Sequence, residues 1–309
     1  MGRAALDVTA AGITFQNPVL LAAGTAAYGR EIADVMPLEL LGGFVTKAVS
    51  LEPRPGAPAP RVADFDGGMI NAVGLANPGV ESVLAEDLPW LAAHVRRPRV
   101  LVNVVGREAA DFGAVIGRLD QSAGFEGYEL NVSCPNVKQG GMEFGADPSA
   151  LSAVVRGARA ATKRPLFVKL SPTLADLGDT ARRAVDAGAD GITVINTIPG
   201  LVIDVERRRP VLGFGSGGVS GAGLLAVGVL AVARVRKAVD VPIIGAGGAQ
   251  QATDVLQFLM AGASAVAIGT AALADPRLPA RVVRDLHRWC DARGIARLAD
   301  LIGTLEWPA

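Results

Sequence analysis

Short apolar runs alternate with longer segments of helical periodicity along this chain, and this alternation constrains the fold more than any other feature. The runs are too short and too uniformly apolar for half-solvated strands, as is typical of parallel strands buried on both faces. Strands are predicted at Val19–Ala22, Gly43–Lys47, Val100–Val105, Gly127–Val132, Leu166–Leu170, Gly191–Ile195, Val241–Gly245 and Ala265–Gly269. Helices are predicted at Glu31–Leu40, Val80–His94, Ala109–Ser122, Pro148–Thr162, Asp176–Ala187, Gly223–Val239, Ala252–Ala261 and Pro279–Arg293.

Eight such strand–helix pairs predict an α/β fold, a closed parallel (β/α)8 TIM barrel, with a doubly wound sheet as the alternative. An N-terminal hairpin, Leu6–Val8 with Ile13–Phe15, precedes the first pair. Long insertions at Ser50–Asn77 and Asn196–Gly221 follow the second and sixth strands, so we expect both to cover the C-terminal, catalytic face of the barrel. No domain boundary is visible, and we expect residues 1–309 to form a single domain.

Charge and cysteine content narrow the class of ligand. The 30 basic and 30 acidic residues cancel, so no basic field favours nucleic acid or an anionic membrane, and we expect a small molecule instead. The 2 cysteines, Cys134 and Cys290, argue against a disulfide framework and favour a reducing, cytoplasmic setting. They also cannot supply an iron–sulfur cluster or a cysteine-rich zinc site, and we predict no metal.

The mean hydropathy of +0.36 and the uncharged stretch from Val211 to Ala233 raise the question of a membrane span. Glycines and serines interrupt that stretch, and only the part from Gly223 onward has helical character, which is too short to cross a bilayer. We therefore attribute the hydropathy to buried parallel strands. No apolar run typical of a signal peptide follows Met1.

Polar side chains lie at or near the carboxyl ends of several predicted strands. They are Lys47, Asn103, Asn131, Lys169, Asn196 and Thr197, with Cys134 shortly after the fourth strand. In a barrel these ends converge on one mouth. Lysines in such apolar surroundings are costly unless they meet an anion or an electron-rich group, so we favour a functional role over a surface accident.

Glycine-rich turns follow the last two predicted strands, at Gly245–Gly248 and at Gly269–Thr270. Barrels commonly bind phosphate at these turns through backbone amides and a helix N-terminus. We favour a phosphate-bearing ligand over the alternative that both are simple tight turns.

Cys134 lies on a loop between two asparagines, Asn131 and Asn136, with Lys138 nearby. A thiol in that setting can act as a proton-transfer group or nucleophile, while the segment alone equally allows a buried thiol after a core strand. The histidines, His94 and His287, fall on predicted outer helices, which disfavours a Ser-His-Asp or Cys-His hydrolase. A phosphate anchor, two lysines, neutral amides and one thiol together suit flavin redox chemistry, in which a side chain takes a proton and the flavin takes hydride.

Six segments extend this interpretation to a family. They are Asn71–Gly79, Glu129–Val137, Val168–Pro172, Ile195–Thr197, Gly217–Gly221 and Pro242–Gly245. In this order they resemble the class 1 dihydroorotate dehydrogenases, and within them the 1B type, over nearly the whole chain. That resemblance implies an FMN-dependent enzyme of pyrimidine biosynthesis that oxidises dihydroorotate to orotate.

The resemblance also implies a role for each matching residue. Cys134 would be the base that removes the C5 proton of dihydroorotate. The substrate would be held by Lys47, Asn71, Ala72, Val73, Gly74, Leu75, Asn131, Asn196 and Thr197. One FMN per chain would be held by Ala23, Lys47, Ala48, Asn103, Asn131, Lys169, Ile195, Gly221, Gly247, Gly248, Gly269 and Thr270.

Three departures from the family pattern bear on these roles. Ala23 stands where relatives usually have a serine facing the flavin, Gly213–Ser216 replaces a more polar segment, and Ala222 stands where proline is usual. The 1B resemblance also implies a homodimer and a partner subunit with FAD and an iron–sulfur cluster that passes electrons to NAD, since this chain lacks the cysteines to do so.

The alternatives are a dihydropyrimidine-type dehydrogenase acting on a uracil-like ring, a non-redox phosphate-binding synthase or aldolase, and a non-catalytic scaffold. A required substrate carboxylate separates the first from a dihydroorotate dehydrogenase. Bound yellow flavin excludes the second, and sensitivity of an activity to Cys134→Ala excludes the third.

Overall fold

The computed structural model of the chain describes residues 3–133, 135, 136 and 142–308. Parallel strands form a closed barrel, with bounds β1 Val19–Leu21, β2 Gly43–Val45, β3 Arg99–Val104, β4 Gly127–Asn131, β5 Leu166–Leu170, β6 Gly191–Val194, β7 Ile243–Ala246 and β8 Ala265–Ile268. Their order around the barrel is β5-β6-β7-β8-β1-β2-β3-β4. The predicted TIM barrel is therefore confirmed, and the doubly wound alternative is wrong.

Burial on both faces explains why the strands are continuous apolar runs. Every residue of β5, β6, β7 and β8 is buried. The barrel closes through the pairing of β8 with β1, in which Val266 lies beside Val19. A parallel sheet of this kind has helices on its outer face and its own side chains inside, so neither face needs polar residues for solvent.

The helices surround the barrel much as the periodicity predicts. The α-helical segments are Val80–Ser82, Leu88–His94, Ala109–Leu119, Pro148–Ala161, Leu177–Asp186, Leu225–Ala238, Ala252–Met260, Thr270–Ala274 and Leu278–Asp291, and a π-helical segment, Val83–Asp87, joins the first two. The 3-10 turns are Arg30–Ile32, Leu38–Leu40, Phe144–Ala146, Ala222–Leu224 and Leu298–Leu301. Asp147 caps its helix by accepting from the Ala150 amide at 2.7 Å, with Pro148 in the first turn.

The helix predicted at Glu31–Leu40 is wrong. Only 3-10 turns form there, at Arg30–Ile32 and Leu38–Leu40. Pro37 lies between them, and proline both lacks an amide donor and disfavours helical backbone in the residue before it. The apolar spacing in this segment therefore reflects side chains packed from an irregular loop.

The N-terminal hairpin closes the amino end of the barrel. Its strands are Val8–Ala10 and Ile13–Phe15, so the first begins two residues later than predicted. Side chains of the hairpin, including the fully buried Phe15, form one core cluster with barrel-interior residues such as Leu101 and Phe167. This apolar plug leaves the opposite, carboxyl end as the open face.

The two insertions combine into one structure over that carboxyl end. Val62–Phe65 and Gly68–Asn71 from the first insertion pair with Ile198–Gly200 and Gly217–Ser220 from the second in a four-stranded antiparallel sheet. Further short strand pairs are Ile203–Asp204 with Arg209–Pro210 and Pro135–Asn136 with Met142–Glu143. The sequence predicts where the insertions lie but not that they pair with each other.

Among the residues that the structure describes, no helix has both the length and the apolarity to cross a membrane. The uncharged stretch Val211–Ala233 instead divides between a loop, the strand Gly217–Ser220 and the first part of the helix Leu225–Ala238.

Candidate active site

A cavity of about 780 Å³ lies at the carboxyl ends of the barrel strands, beside the insertion sheet. That volume is within the usual range of small-molecule sites. Every predicted site residue in the described part of the chain lines it: Ala23, Lys47, Ala48, Asn71, Ala72, Val73, Gly74, Leu75, Asn103, Asn131, Lys169, Ile195, Asn196, Thr197, Gly221, Gly247, Gly248, Gly269 and Thr270. The fold thus brings the predicted substrate and cofactor residues to one place, while their individual roles stay predictions.

The predicted base, Cys134, and Lys138 lie outside the described residues. The residue before the cysteine, Ser133, is described and lines the same cavity. Its hydroxyl oxygen is buried, and a hydrogen bond from this hydroxyl group helps to lower the pKa of Glu143 against the effect of burial. The residue directly before Cys134 in the sequence is therefore part of the cavity wall.

The barrel interior beside the cavity holds a charged side chain that the sequence analysis missed. Glu129 is buried, and its Oε1 accepts a hydrogen bond of 2.8 Å from Asn103 Nδ2. Lys169 Nζ lies 3.9 Å from the same oxygen. The alternation of side chains along a strand could have identified Glu129, because it lies two residues before Asn131 on β4 and so projects to the same side of the strand.

Lys169 is buried, and the N–H groups of its ammonium are available to donate hydrogen bonds to a ligand. No hydrogen bond joins its ammonium to the described residues, since 3.9 Å from Glu129 Oε1 is an ion-pair distance and too long for a hydrogen bond. Because an ammonium has three donors, this arrangement favours a ligand with acceptor atoms or negative charge next to Lys169.

Neutral amides form a second polar group in the cavity wall. Asn196 Nδ2 donates to Asn131 Oδ1 at 3.4 Å, and Asn196 Oδ1 accepts from the Thr197 amide at 2.8 Å. Asn71 Nδ2 donates to the Gly218 carbonyl at 3.3 Å, which ties the two insertions together. These contacts hold the amides in place at the rim of the cavity.

The glycine turn after β7 has backbone geometry that strongly disfavours other residues. Gly247 and Gly248 have φ of 120° and 79°, and a Cβ on Gly248 would lie 2.9 Å from the Ala222 carbonyl oxygen and closer still to the Leu225 amide. The turn after β7 therefore packs tightly against the segment that begins the helix Leu225–Ala238. Thr270 Oγ1 donates to Ser220 Oγ at 2.7 Å, which links the turn after β8 to the insertion sheet.

The three departures from the family pattern lie in different surroundings. Ala23 lines the cavity, so no side-chain hydroxyl comes from that position. In the segment 213–216, the Gly213 amide donates to the Pro60 carbonyl at 2.9 Å, and Phe214 is exposed. Ala222 begins a 3-10 turn next to Gly221.

The histidines lie away from the cavity, as the sequence analysis expects, and so does Cys290. His94 stacks on Trp90 with 4.8 Å between ring centroids. Burial lowers the pKa of His287, and its Nδ1 is buried without a partner in the described residues. Cys290 is buried in the last long helix, where it packs in the core.

A second cavity of about 330 Å³ lies beside the residues that follow the cysteine loop. Glu143, Thr173, Asp176, Asp179 and Arg183 are among the residues lining it. Burial raises the pKa of Glu143 above its ordinary value, opposed by hydrogen bonds from hydroxyl groups that include Thr173 Oγ1 at 3.3 Å. The sequence offers no periodic signal for this carboxyl group, because it follows an irregular loop.

Comparisons with known proteins agree with this geometry. The family profile described as Dihydroorotate dehydrogenase matches residues 5–289. A Pelobacter propionicus protein named dihydroorotate dehydrogenase B (NAD(+)), catalytic subunit, is 47% identical over 97% of this chain and 98% of its own length. A Solibacter usitatus protein, provisionally named dihydroorotate dehydrogenase A (fumarate), is 45% identical over 98% of this chain and 99% of its own length.

The likeness extends to three dimensions. A crystal structure of DHODH from Eimeria tenella in complex with ferulenol matches with a TM-score of 0.83 at 25% identity, covering 97% of this chain and 88% of that one. Profile, relatives and fold agree over nearly the full length of the chain. The chain therefore belongs to the dihydroorotate dehydrogenase family, among the sequences of its type 1B.

Proposed function

We propose that this protein oxidises dihydroorotate to orotate at an FMN held in the barrel mouth. The observation that carries the proposal is Lys169, a buried ammonium in the wall of a ligand-sized cavity, with donors that no described residue fills. Family membership supplies the reaction class, and the cavity supplies a place where it fits.

The residues present fit FMN. Lys169 offers charge and donors to a ring with several acceptor atoms, and Asn103 and Asn131 add amide groups on the same wall. Gly247, Gly248 and the Gly269–Thr270 turn would hold the phosphate at the last two strands, the usual phosphate position in this fold. Bound FMN supplies the acceptor for the hydride that leaves C6 of the substrate.

Cys134 is proposed to take the proton from C5 while the hydride leaves C6, so that a C5–C6 double bond forms and charge balances. A free thiol has a pKa of about 8.5, and a modest reduction gives a useful thiolate fraction at neutral pH. Ser133, its chain neighbour, lines the cavity, which supports placing the thiol at that wall.

The substrate is proposed to lie between the insertion loops and the amides. Lys47 and the loop Asn71–Leu75 would bind its carboxylate, and Asn131, Asn196 and Thr197 its ring. The contact between Asn196 and Asn131 supports this arrangement, because it fixes two of these side chains relative to each other. Enclosure by the insertion sheet would exclude water from the reacting atoms.

The decisive experiment is anaerobic reduction of the bound flavin by dihydroorotate, in which the loss of flavin absorbance measures the rate of reduction. Cys134→Ala is expected to slow bleaching by roughly 10²–10⁴-fold, the usual contribution of a positioned acid or base. Cys290→Ala is the matched control, since that thiol is buried in an outer helix. Equal rates in wild type and Cys134→Ala would remove the cysteine as the base.

A uracil-like substrate is the second candidate, and the presence of Lys47 in the cavity wall supports dihydroorotate over it. A cation at the cavity wall suits a substrate that carries a carboxylate. Dihydrouracil, which lacks that group, is therefore expected to bleach the flavin far more slowly than dihydroorotate. A purified protein that is colourless and binds no FMN would instead point to the non-redox barrel.

The physiological electron acceptor is proposed to be NAD, reached through a partner subunit with FAD and an iron–sulfur cluster. The name of the Pelobacter relative supports NAD, while that of the Solibacter relative makes fumarate the competing acceptor. Steady-state assays of the isolated chain with fumarate and with NAD separate the two. Fumarate-supported turnover, or NAD reduction without a partner, would contradict the proposal.

We also propose that residues 1–309 act as a single domain, in the cytoplasm and as a homodimer. Exposed apolar side chains in the second insertion support a second copy of the chain as a neighbour: Leu201, Ile203, Val205 and Phe214. Light scattering at micromolar concentration tests this, and a monomer would contradict it.

A further inference from the structure

Glu129 is an acidic side chain in the barrel interior that the proposed reaction does not use. Only 1% of the residue is exposed, and strand pairing places it beside Asn103 on one side and Phe167 on the other. It lies two residues before Asn131 on β4, one layer deeper than that cavity residue. A buried carboxylate is costly unless it is paired, so its partners indicate what it does.

The first partner is Asn103, whose Nδ2 donates to Glu129 Oε1 at 2.8 Å. A carboxylate can only accept, so this contact fixes the orientation of the amide. One of the two Asn103 Nδ2 hydrogens is donated to Glu129, and the side-chain carbonyl oxygen is left as the atom that can accept from a ligand. Since Asn103 lines the cavity, the wall presents an acceptor there.

The second partner is Lys169, whose Nζ is 3.9 Å from the same oxygen. At this distance Glu129 provides a counter-charge without occupying the ammonium hydrogens. Lys169 therefore has a counter-charge beside it in a buried position and still offers donors to the cavity.

We propose that Glu129 is a positioning residue that sets what the barrel wall offers a flavin, an acceptor from Asn103 and a charged donor from Lys169. The inference rests on the proposed FMN site. Glu129 also has an electrostatic effect on the site. Its negative charge offsets the positive charge of Lys169 and so weakens the attraction of the site for the anionic reduced flavin. Glu129 thereby lowers the reduction potential of the bound FMN.

Glu129→Gln tests both effects, because glutamine keeps the size, removes the charge and can donate as well as accept. We expect the equilibrium between oxidised and reduced FMN to shift about tenfold toward reduced FMN in the variant. For a two-electron couple this shift raises the reduction potential of the bound FMN by about 30 mV. The measurement is an anaerobic equilibrium titration against a reference dye. In the Lys169→Gln background the same substitution is expected to have less than about half that effect, as coupled sites require.

Asp120→Asn is the matched control, since Asp120 pairs with Arg164 at 3.6 Å and does not line the cavity. This variant also removes a carboxylate that pairs with a basic side chain, and it is expected to leave the reduction potential of the bound FMN unchanged. An unchanged or lower potential in Glu129→Gln would overturn the inference, as would an equal shift in Asp120→Asn.

If Glu129→Gln does not fold, Glu129→Asp gives a second test, because it keeps the charge but shortens the side chain that reaches Asn103. We expect FMN affinity to fall about fivefold or more, the effect of losing one positioned hydrogen bond, and equal affinity would contradict the inference. A wild-type protein that takes up no FMN would overturn the proposed function and this inference together. FMN uptake with no effect of either Glu129 variant would overturn the inference alone.

Discussion

Lys169 Nζ and Glu129 Oε1 lie 3.9 Å apart inside the barrel, with 9% and 1% of the two side chains exposed. They come from neighbouring strands, β5 and β4, so their proximity is set by strand register. At this depth neither charge is well solvated, and each depends on the other.

Removing one member of this pair is therefore expected to cost more stability than removing both. Lys169→Met leaves the Glu129 carboxylate unpaired and is expected to lower the free energy of unfolding by about 3–5 kcal/mol. The double variant Lys169→Met/Glu129→Gln leaves no unpaired charge and is expected to recover most of that loss. Urea denaturation with and without FMN separates chain stability from ligand binding. Additive losses in the double variant would show that the charges are not coupled.

Gly248 is expected to be essential to the turn after β7. In Gly248→Ala the new Cβ would overlap the Leu225 amide and lie 2.9 Å from the Ala222 oxygen, at a φ of 79° that disfavours alanine. The backbone conformation alone costs about 1–2 kcal/mol, and movement of the turn should weaken FMN binding about tenfold or more. Fluorescence titration of FMN measures the affinity.

Gly223→Ala is the matched control for Gly248→Ala. Gly223 lies in the facing segment, and a Cβ there meets nothing within 4 Å. This variant is expected to bind FMN as wild type does. Equal affinities for all three proteins would show that the turn does not hold the cofactor.

Glu143 is expected to make stability fall as pH rises. Burial raises its pKa above the ordinary 4.5, so the folded protein binds this proton more tightly than the unfolded chain. Its stabilising contribution is complete below pH 4.5 and is lost as pH rises through the raised pKa. Glu143→Gln should therefore gain stability relative to wild type between acid and neutral pH, as measured by melting temperature.

Asp179→Asn provides a control of opposite sign. A hydrogen bond from Arg183 lowers the pKa of Asp179, so its contribution is present above the ordinary pKa and is lost as pH falls through the lowered one. As pH rises, the melting temperature of Glu143→Gln should therefore increase relative to that of wild type, and the melting temperature of Asp179→Asn should decrease relative to it. Parallel profiles would contradict the assignment for Glu143.

Lys47 is expected to recognise the carboxylate of the substrate. The Lys47 amide donates to the Ala27 carbonyl at 2.8 Å, which fixes the backbone just after β2, and the side chain lines the cavity. Lys47→Met should lower kcat/KM for dihydroorotate by about 10–100-fold, as loss of a hydrogen bond to a charged group predicts. It should leave the already poor reaction with dihydrouracil nearly unchanged. Equal losses for both substrates would assign Lys47 to the flavin alone.

The local sequence determined much of the architecture. Apolar runs such as Ala265–Ile268 indicate burial on both faces, and Asp147-Pro148 marks the start of a helix, because each signal lies within a few neighbouring residues. The strand-end residues Lys47, Asn103 and Lys169 were predictable candidates for the cavity wall once the barrel was inferred, since strand ends converge in that fold.

Only the tertiary structure decided the contacts across the chain. Gly218 pairs with Asn71 in the insertion sheet, and Glu129 meets Asn103 and Lys169 across strand boundaries. Neither contact has a local signature, because register between distant segments depends on how the whole barrel closes. Periodicity along the sequence reports which side of a strand is buried, whereas a charge is recognised as part of a site only when its neighbours from other strands are in place.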